Sequence, residues 1–262
     1  MTGLAYDRTG TGGEPLVLLH PLGGDRRVWR PVLEHLKRSR DVIAIDLPGF
    51  GGSPALADEQ HPIALAAAVS GLLRELGLHG GRAHLAGNSL GGWVALEVAL
   101  AGDAASVTAI APAGLWPRAL PAKPEIARTI ARLSRPALRG LVRSPGGRRV
   151  ALLGSVAHPD RVPAADAVAL LEAYAGAPGF TRVNRAMRAG TFTRLAEIGV
   201  PVTLVWPDRD RLVARLRSVP AGVREIELHD AGHIPMWDDS AGVADALLAG
   251  SSRSSIRRDA AA

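Results

Sequence analysis

Cysteine is absent from all 262 residues, which excludes disulfides, thiolate metal sites and a cysteine nucleophile. Aromatic residues are scarce, at 5 Trp, 3 Phe and 2 Tyr. With no recognisable binding motif either, nucleic acid is not an expected partner. No apolar run approaches the roughly 20 residues of a membrane span, so no membrane partner is expected. The opening MTGLAYDRTG lacks a basic stretch followed by an apolar one, so no secretory signal is visible and the cytoplasm is the expected location. What remains is ordinary for a globular chain, 47% hydrophobic and 21% charged. Its length suits one large domain, or one domain with an insertion.

The net charge of +6 is unevenly spread. Between Trp116 and Gly190 stand 12 Arg and 1 Lys against 4 acids, a local charge of +9. The excess has two readings: codon composition, or a basic segment that favours an anionic substrate.

Short apolar runs alternate with helix-like runs, which predicts an α/β fold with a mostly parallel, doubly wound sheet. The strand candidates are 15–20, 41–46, 82–87, 106–112 and 200–206, nearly continuous in apolar residues as befits strands covered on both faces. Residues 222–230 alternate more and suit an edge, and 4–10 read as an antiparallel edge strand. Helical patterns occupy 27–38, 62–77, 90–102 and 237–250. The rhythm breaks between residues 116 and 190, where Arg- and Ala-rich helical stretches are punctuated by prolines. The expected organisation is therefore a core of 1–115 and 191–250, a helical insertion of 116–190, and a disordered tail of 251–262.

At the seam between the third main strand and its helix stands Gly87-Asn88-Ser89-Leu90-Gly91-Gly92. With 30 Gly and 14 Ser in the chain, a Gly-x-Ser-x-Gly arises by chance in roughly one such sequence in six, so its partners must carry the case. Ligands of an open α/β sheet bind beyond the carboxyl ends of its strands, and four such ends supply chemistry. Ser89 follows one strand and His20-Pro21-Leu22-Gly23-Gly24 another. Asp208 and Asp210 follow a third, and His233 a fourth. Acyl transfer needs this set: a hydroxyl made nucleophilic by a histidine, a carboxylate to orient the imidazole, and two backbone N–H groups facing the oxyanion. Leu90, at a helix N-terminus, is the natural first donor and Leu22 the second.

These motifs resemble those of the α/β-hydrolase fold with a helical cap. "GNSLGG" matches that family's nucleophile elbow. "DLPGFGGS" (46–53), "WPDRDRLV" (206–213) and "AGHIP" (231–235) resemble its following loop, acid loop and histidine loop, in the chain order Ser…Asp…His. The resemblance implies Ser89, Asp210 and His233 as a triad, Leu22 and Leu90 as oxyanion donors, and no cofactor or metal. Two positions depart from the pattern. His20-Pro21 stands where the family commonly has His-Gly, and Pro207 stands where Gly usually follows Trp. The second leaves the acid to be chosen between Asp208 and Asp210, and counting from Trp206 favours Asp210. His20, Asn88 and Trp116 are the candidates for lining a substrate pocket, against plainer turn or packing roles.

Family relatives that open epoxides carry an aspartate at the nucleophile position, so Ser89 implies different chemistry. The expected reaction is hydrolysis of an ester, lactone or thioester of a small acyl substrate. A second reading is cleavage of a carbon–carbon bond in a vinylogous diketo acid: Asn88 before Ser89 and Arg211 after the acid resemble hydrolases of that kind, whose anionic substrates would suit the basic insertion. Their Gly-Pro-Gly-type oxyanion loop and their Trp after the histidine (here Ile234) are missing. A third is a non-catalytic binding protein on the same scaffold.

Overall fold

The computed structural model of the protein describes residues 2–10, 12–58, 60–121 and 126–252. Seven strands form one sheet: β1 (Tyr6–Thr9), β2 (Pro15–Leu19), β3 (Asp41–Ile45), β4 (His84–Asn88), β5 (Ser106–Ile110), β6 (Val202–Pro207) and β7 (Arg224–Leu228). Their spatial order is β1-β3-β2-β4-β5-β6-β7, parallel throughout except for β1, which pairs antiparallel to β3 at one edge. The runs read as strands are strands, each bound lying within two residues of the expected one, and both expected edges lie at the edges.

Helices α1 (Arg30–Leu36) and α9 (Ser240–Gly250) pack together on one face of the sheet. On the other face lie α2 (Pro62–Glu75) and α3 (Leu90–Leu100). This double cover explains the continuous apolar runs. Leu16 and Leu18 join Trp29 and Val32 in one buried cluster, while Val17 and Leu19 join Leu65 and Trp93 in the other. Alternate residues of one strand thus feed two cores, the period-two consequence of the pleat.

Five more helices stand between β5 and β6: α4 (Ile126–Leu133), α5 (Arg135–Leu141), α6 (Pro145–Ala151), α7 (Ala164–Gly176) and α8 (Phe180–Ala189). The two chain passages into this insertion are zipped together. Phe192 N–H donates to the Gly114 carbonyl at 2.8 Å, Trp116 Nε1 to that of Gly190 at 2.8 Å, and Leu120 N–H to that of Arg188 at 2.7 Å. At residue 251, the first of the expected disordered tail, the chain is still packed on the fold. Ser251 is buried against the end of α9, where its carbonyl accepts from Arg40 Nη2 at 2.9 Å; residues 253–262 lie outside the described ones.

Candidate active site

The register of the sheet brings the loops of interest to one rim, with Leu19 beside Gly87 and Asn88 beside Ile110. Beyond β4 the chain turns sharply into α3, and Ser89 sits at φ 55°, ψ −114°. A non-glycine residue there is strained, and such strain persists only where its surroundings hold it. The Ser89 N–H donates to the Ile110 carbonyl at 2.9 Å, and its own carbonyl accepts from Trp93 and Ala113.

The neighbouring glycines are there for contact. A Cβ on Gly87 would stand 2.2 Å from the Gly91 backbone, and one on Gly91 would stand 2.2 Å from the Leu19 carbonyl oxygen. Only hydrogen at these positions lets α3 press its N-terminus against the end of β2, where the Leu22 loop begins. Two candidate oxyanion donors from distant parts of the sequence thereby become neighbours. The N–H groups of Leu22 and Leu90 have no acceptor among the described residues, which is the state required of donors kept for a reacting oxygen.

Asp210, after β6, holds three hydrogen bonds. Its Oδ1 accepts from the N–H groups of Leu212 at 2.7 Å and Val213 at 3.1 Å, and its Oδ2 lies 2.7 Å from His233 Nδ1. Both side chains are nearly buried, and a hydrogen bond to a carboxylate is stronger when screened from water than at the surface. Asp208 lies elsewhere: partly exposed, it faces His229 and accepts from the Ala231 N–H. Of the two acids, Asp210 is the one hydrogen-bonded to His233. Asp208, Glu227 and His229 do bring potential ligand atoms within 4.8 Å of one another, but all three are exposed and an acidic cluster of this sort is common on surfaces.

Ser89 and His233 are tied through Asn88. Its Nδ2 donates to the Ile110 carbonyl at 3.1 Å and to the carbonyl of His233 itself at 3.0 Å. Asn88 is fully buried, with Oδ1 unpartnered among the described residues. Its visible work is to clamp the histidine loop to the serine turn, not to line a pocket. The Ser89 hydroxyl, 7% exposed with its residue, makes no hydrogen bond among the described residues.

His20 is also corrected as a pocket residue. It is fully buried, its Nε2 accepts from the Leu47 N–H at 2.9 Å, and its Nδ1 lies 2.8 Å from the Pro21 carbonyl. Both nitrogens are occupied, and burial holds its pKa below the ordinary histidine value. It is a neutral strut between the Leu22 loop and the loop after β3. Trp116 stands at the base of the insertion, edge-on to Trp93 with ring centroids 6.0 Å apart, and its indole is committed to Gly190.

Two acids that the sequence reading passed over organise the rim. Asp46, fully buried after β3, accepts from Arg26 N–H and Gly52 N–H, each at 2.7 Å, and pairs with the Arg26 guanidinium. Asp238 joins the histidine loop to the insertion. Its carboxylate accepts from Ala157 N–H at 2.8 Å, His158 N–H at 2.9 Å and Gly232 N–H at 2.9 Å. A Cβ on Gly232 would stand 2.6 Å from the Ala157 nitrogen, so the residue before His233 is a glycine because the insertion passes that close. An acid five residues beyond the histidine was the available signal.

The insertion also covers the Leu22 loop. The edge-to-face pair Tyr174–Phe180, centroids 5.2 Å apart, lies over Gly23, and Gly179 meets Gly49 backbone to backbone. A cleft of about 300 Å³ opens where residues 153–160 meet the acid loop; Arg149, Asp160, Arg209 and Arg211 are among its lining.

The alpha/beta hydrolase family model matches residues 16–246. Epoxide hydrolase EphH of Mycobacterium tuberculosis is 37% identical over 188 residues, covering 66% of this chain and 87% of that protein. The 2-hydroxy-6-oxononadienedioate/2-hydroxy-6-oxononatrienedioate hydrolase of Burkholderia vietnamiensis is 42% identical over 100 residues, 36% of this chain and 34% of that one. Among solved structures, a thermophilic esterase from Thermogutta terrifontis superposes with a TM-score of 0.71 at 25% identity, covering 94% of this chain and 92% of that one.

Proposed function

This chain belongs to the alpha/beta hydrolase family, and from that membership we propose that it is a serine hydrolase of carboxylic esters, lactones or thioesters, acting through an acyl-serine intermediate. One observation carries the reading. Asp210 engages His233 Nδ1 at 2.7 Å while Asn88, next to Ser89, engages the carbonyl of the same histidine at 3.0 Å.

With Nδ1 committed to Asp210, Nε2 of His233 is the nitrogen left to take the Ser89 proton. The Ser89 oxygen then attacks the substrate carbonyl, and the N–H groups of Leu22 and Leu90 receive the negative charge that develops on its oxygen. Collapse of the tetrahedral species breaks the bond to the leaving alcohol or thiol, which departs with the proton from His233. Water, deprotonated by the same imidazole, attacks the acyl-serine by the same route and releases the acid. Asp210 steadies the imidazolium in both halves without taking its proton.

Epoxide opening, the activity in the name of one relative, fits Ser89 poorly. An aspartate that opens an epoxide leaves an ester, which water can hydrolyse at its carbonyl. A serine would leave an alkyl ether with no carbonyl to attack, and the enzyme would not turn over. Carbon–carbon cleavage stays as the second reading, favoured by the likeness to the Burkholderia hydrolase. An anionic group on the substrate draws support from the arginine excess of the insertion alone, because the cleft lined by Arg149, Arg209 and Arg211 includes neither Ser89 nor His233, and Arg149 and Arg209 are already paired with Asp160 and Asp230. Steady-state rates on p-nitrophenyl esters, a vinylogous dienoate and styrene oxide, with Ser89→Ala as control, test the proposal. Ester turnover that vanishes in the variant is expected. Turnover of the dienoate alone selects the second reading, and epoxide turnover that survives in Ser89→Ala refutes both.

A further inference from the structure

The outer layer of the insertion carries a surface that this chemistry does not use. Residues 126–153 contain seven arginines and no aspartate or glutamate. The same stretch holds six of the nine large apolar side chains exposed among the described residues: Ile126, Ile130, Leu133, Leu141, Val150 and Leu153. In α4 the usual arrangement is inverted. Ile126, Ile130 and Leu133 recur at helical spacing and face out, Leu133 being 80% exposed, while Arg128 and Ala131 are buried.

Arg128 turns inward to the end of α7, where its guanidinium donates to the Tyr174 and Ala177 carbonyls and lies 4.8 Å from the centroid of the Phe180 ring. Helices α4, α5 and α6 all pack on α7, and α5 touches both α4 and α6, so the three form one layer. Arg139 and Arg149 are paired with Glu172 and Asp160. Arg132, Arg135 and Arg143 are exposed and have no ion pair among the described residues.

We propose that this layer docks peripherally on an anionic phospholipid surface. α4 lies in the interface, its aliphatic side chains enter the acyl boundary, and the unpaired arginines meet the headgroups. The expectation of no membrane partner came from the missing span. No helix of the described residues is long and apolar enough to cross a bilayer, and a peripheral contact needs none. A second copy of this chain is the wrong occupant, because a two-fold contact would set an arginine-rich face, whose neighbouring acids Glu172 and Asp160 are already paired, against itself. The six apolar side chains are all aliphatic, whereas protein hot spots favour Trp and Tyr. The docking is independent of the proposed reaction and goes beyond it.

Co-sedimentation of the full chain with vesicles tests it, comparing equal phosphatidylglycerol and phosphatidylcholine with phosphatidylcholine alone. Binding stronger by on the order of tenfold on the anionic vesicles is expected, falling as salt is raised. The double variant Ile130→Glu, Leu133→Glu, both exposed, should keep the melting temperature and the hydrolysis of a water-soluble ester while losing the vesicles. Arg132→Gln with Arg135→Gln should weaken binding without abolishing it. Absent binding, equal binding to both vesicle types, or binding indifferent to the glutamates overturns the proposal. An acidic protein bound through the same residues by a chain that ignores vesicles also overturns it.

Discussion

The rim of the sheet and the helical insertion above it solve opposite packing problems. At the rim, loops from β2, β3, β4, β6 and β7 crowd into one place. Each close approach falls on a glycine, and each buried acid is met by backbone N–H groups: Asp46 by Arg26 and Gly52, Asp210 by Leu212 and Val213. In the insertion the buried polar groups are cations serving carbonyls. Arg148 donates to Val142, Arg143 and Asp160, and Arg128 to the end of α7, while leucines and isoleucines face outward. The rim is built to hold atoms still; the insertion is built to cover the rim and to present a surface.

The sharpest way to break this contrast is at the acid. Asp210→Asn keeps the shape but forces the wrong histidine tautomer, and kcat on an ester should fall by about 10⁴ with the melting temperature little changed. If activity persists within tenfold, Asp210 is not the orienting group. Next comes Gly91→Ala, whose methyl would meet the Leu19 carbonyl at 2.2 Å. Because the obstacle is backbone, urea denaturation should show a loss of ~3 kcal/mol. Smaller still is Asp238→Ala, which frees the histidine loop from residues 157 and 158. A roughly tenfold loss in kcat with KM nearly constant is expected from a 1 Å-scale misplacement of the imidazole, more modest than outright removal. The smallest effect tests the insertion's own looseness. A Cβ on Gly140, inside α5, meets nothing within 4 Å, so Gly140→Ala should stabilise by about 0.5–1 kcal/mol through helix propensity alone. Destabilisation there would mean that the outer layer is as tightly specified as the rim.

The same contrast decides what could be read from the sequence. The strands were legible because the sheet is covered on both faces, leaving apolar runs bounded by turns. The candidate triad was legible because strand ends are where such a sheet places its chemistry. Hydrogen-bond geometry was not. His20 and Asn88 look like pocket residues by position, but the folded loops use up their polar atoms on Leu47, Pro21, Ile110 and His233. Asp238 was invisible for a related reason, since two of its three donors, Ala157 and His158, stand 81 and 80 residues away along the chain. In α4 the helical period of Ile126, Ile130 and Leu133 can be read, but which side faces water depends on where α7 lies, and no local pattern contains that.

The proposed reaction stands on Ser89 being a nucleophile served by His233. Intact-mass measurement and peptide mapping after treatment with a fluorophosphonate test it most directly. One adduct is expected, on Ser89, absent in Ser89→Ala and strongly slowed in Asp210→Asn. An unlabelled wild-type chain, under conditions where a known serine hydrolase reacts to completion, would contradict it.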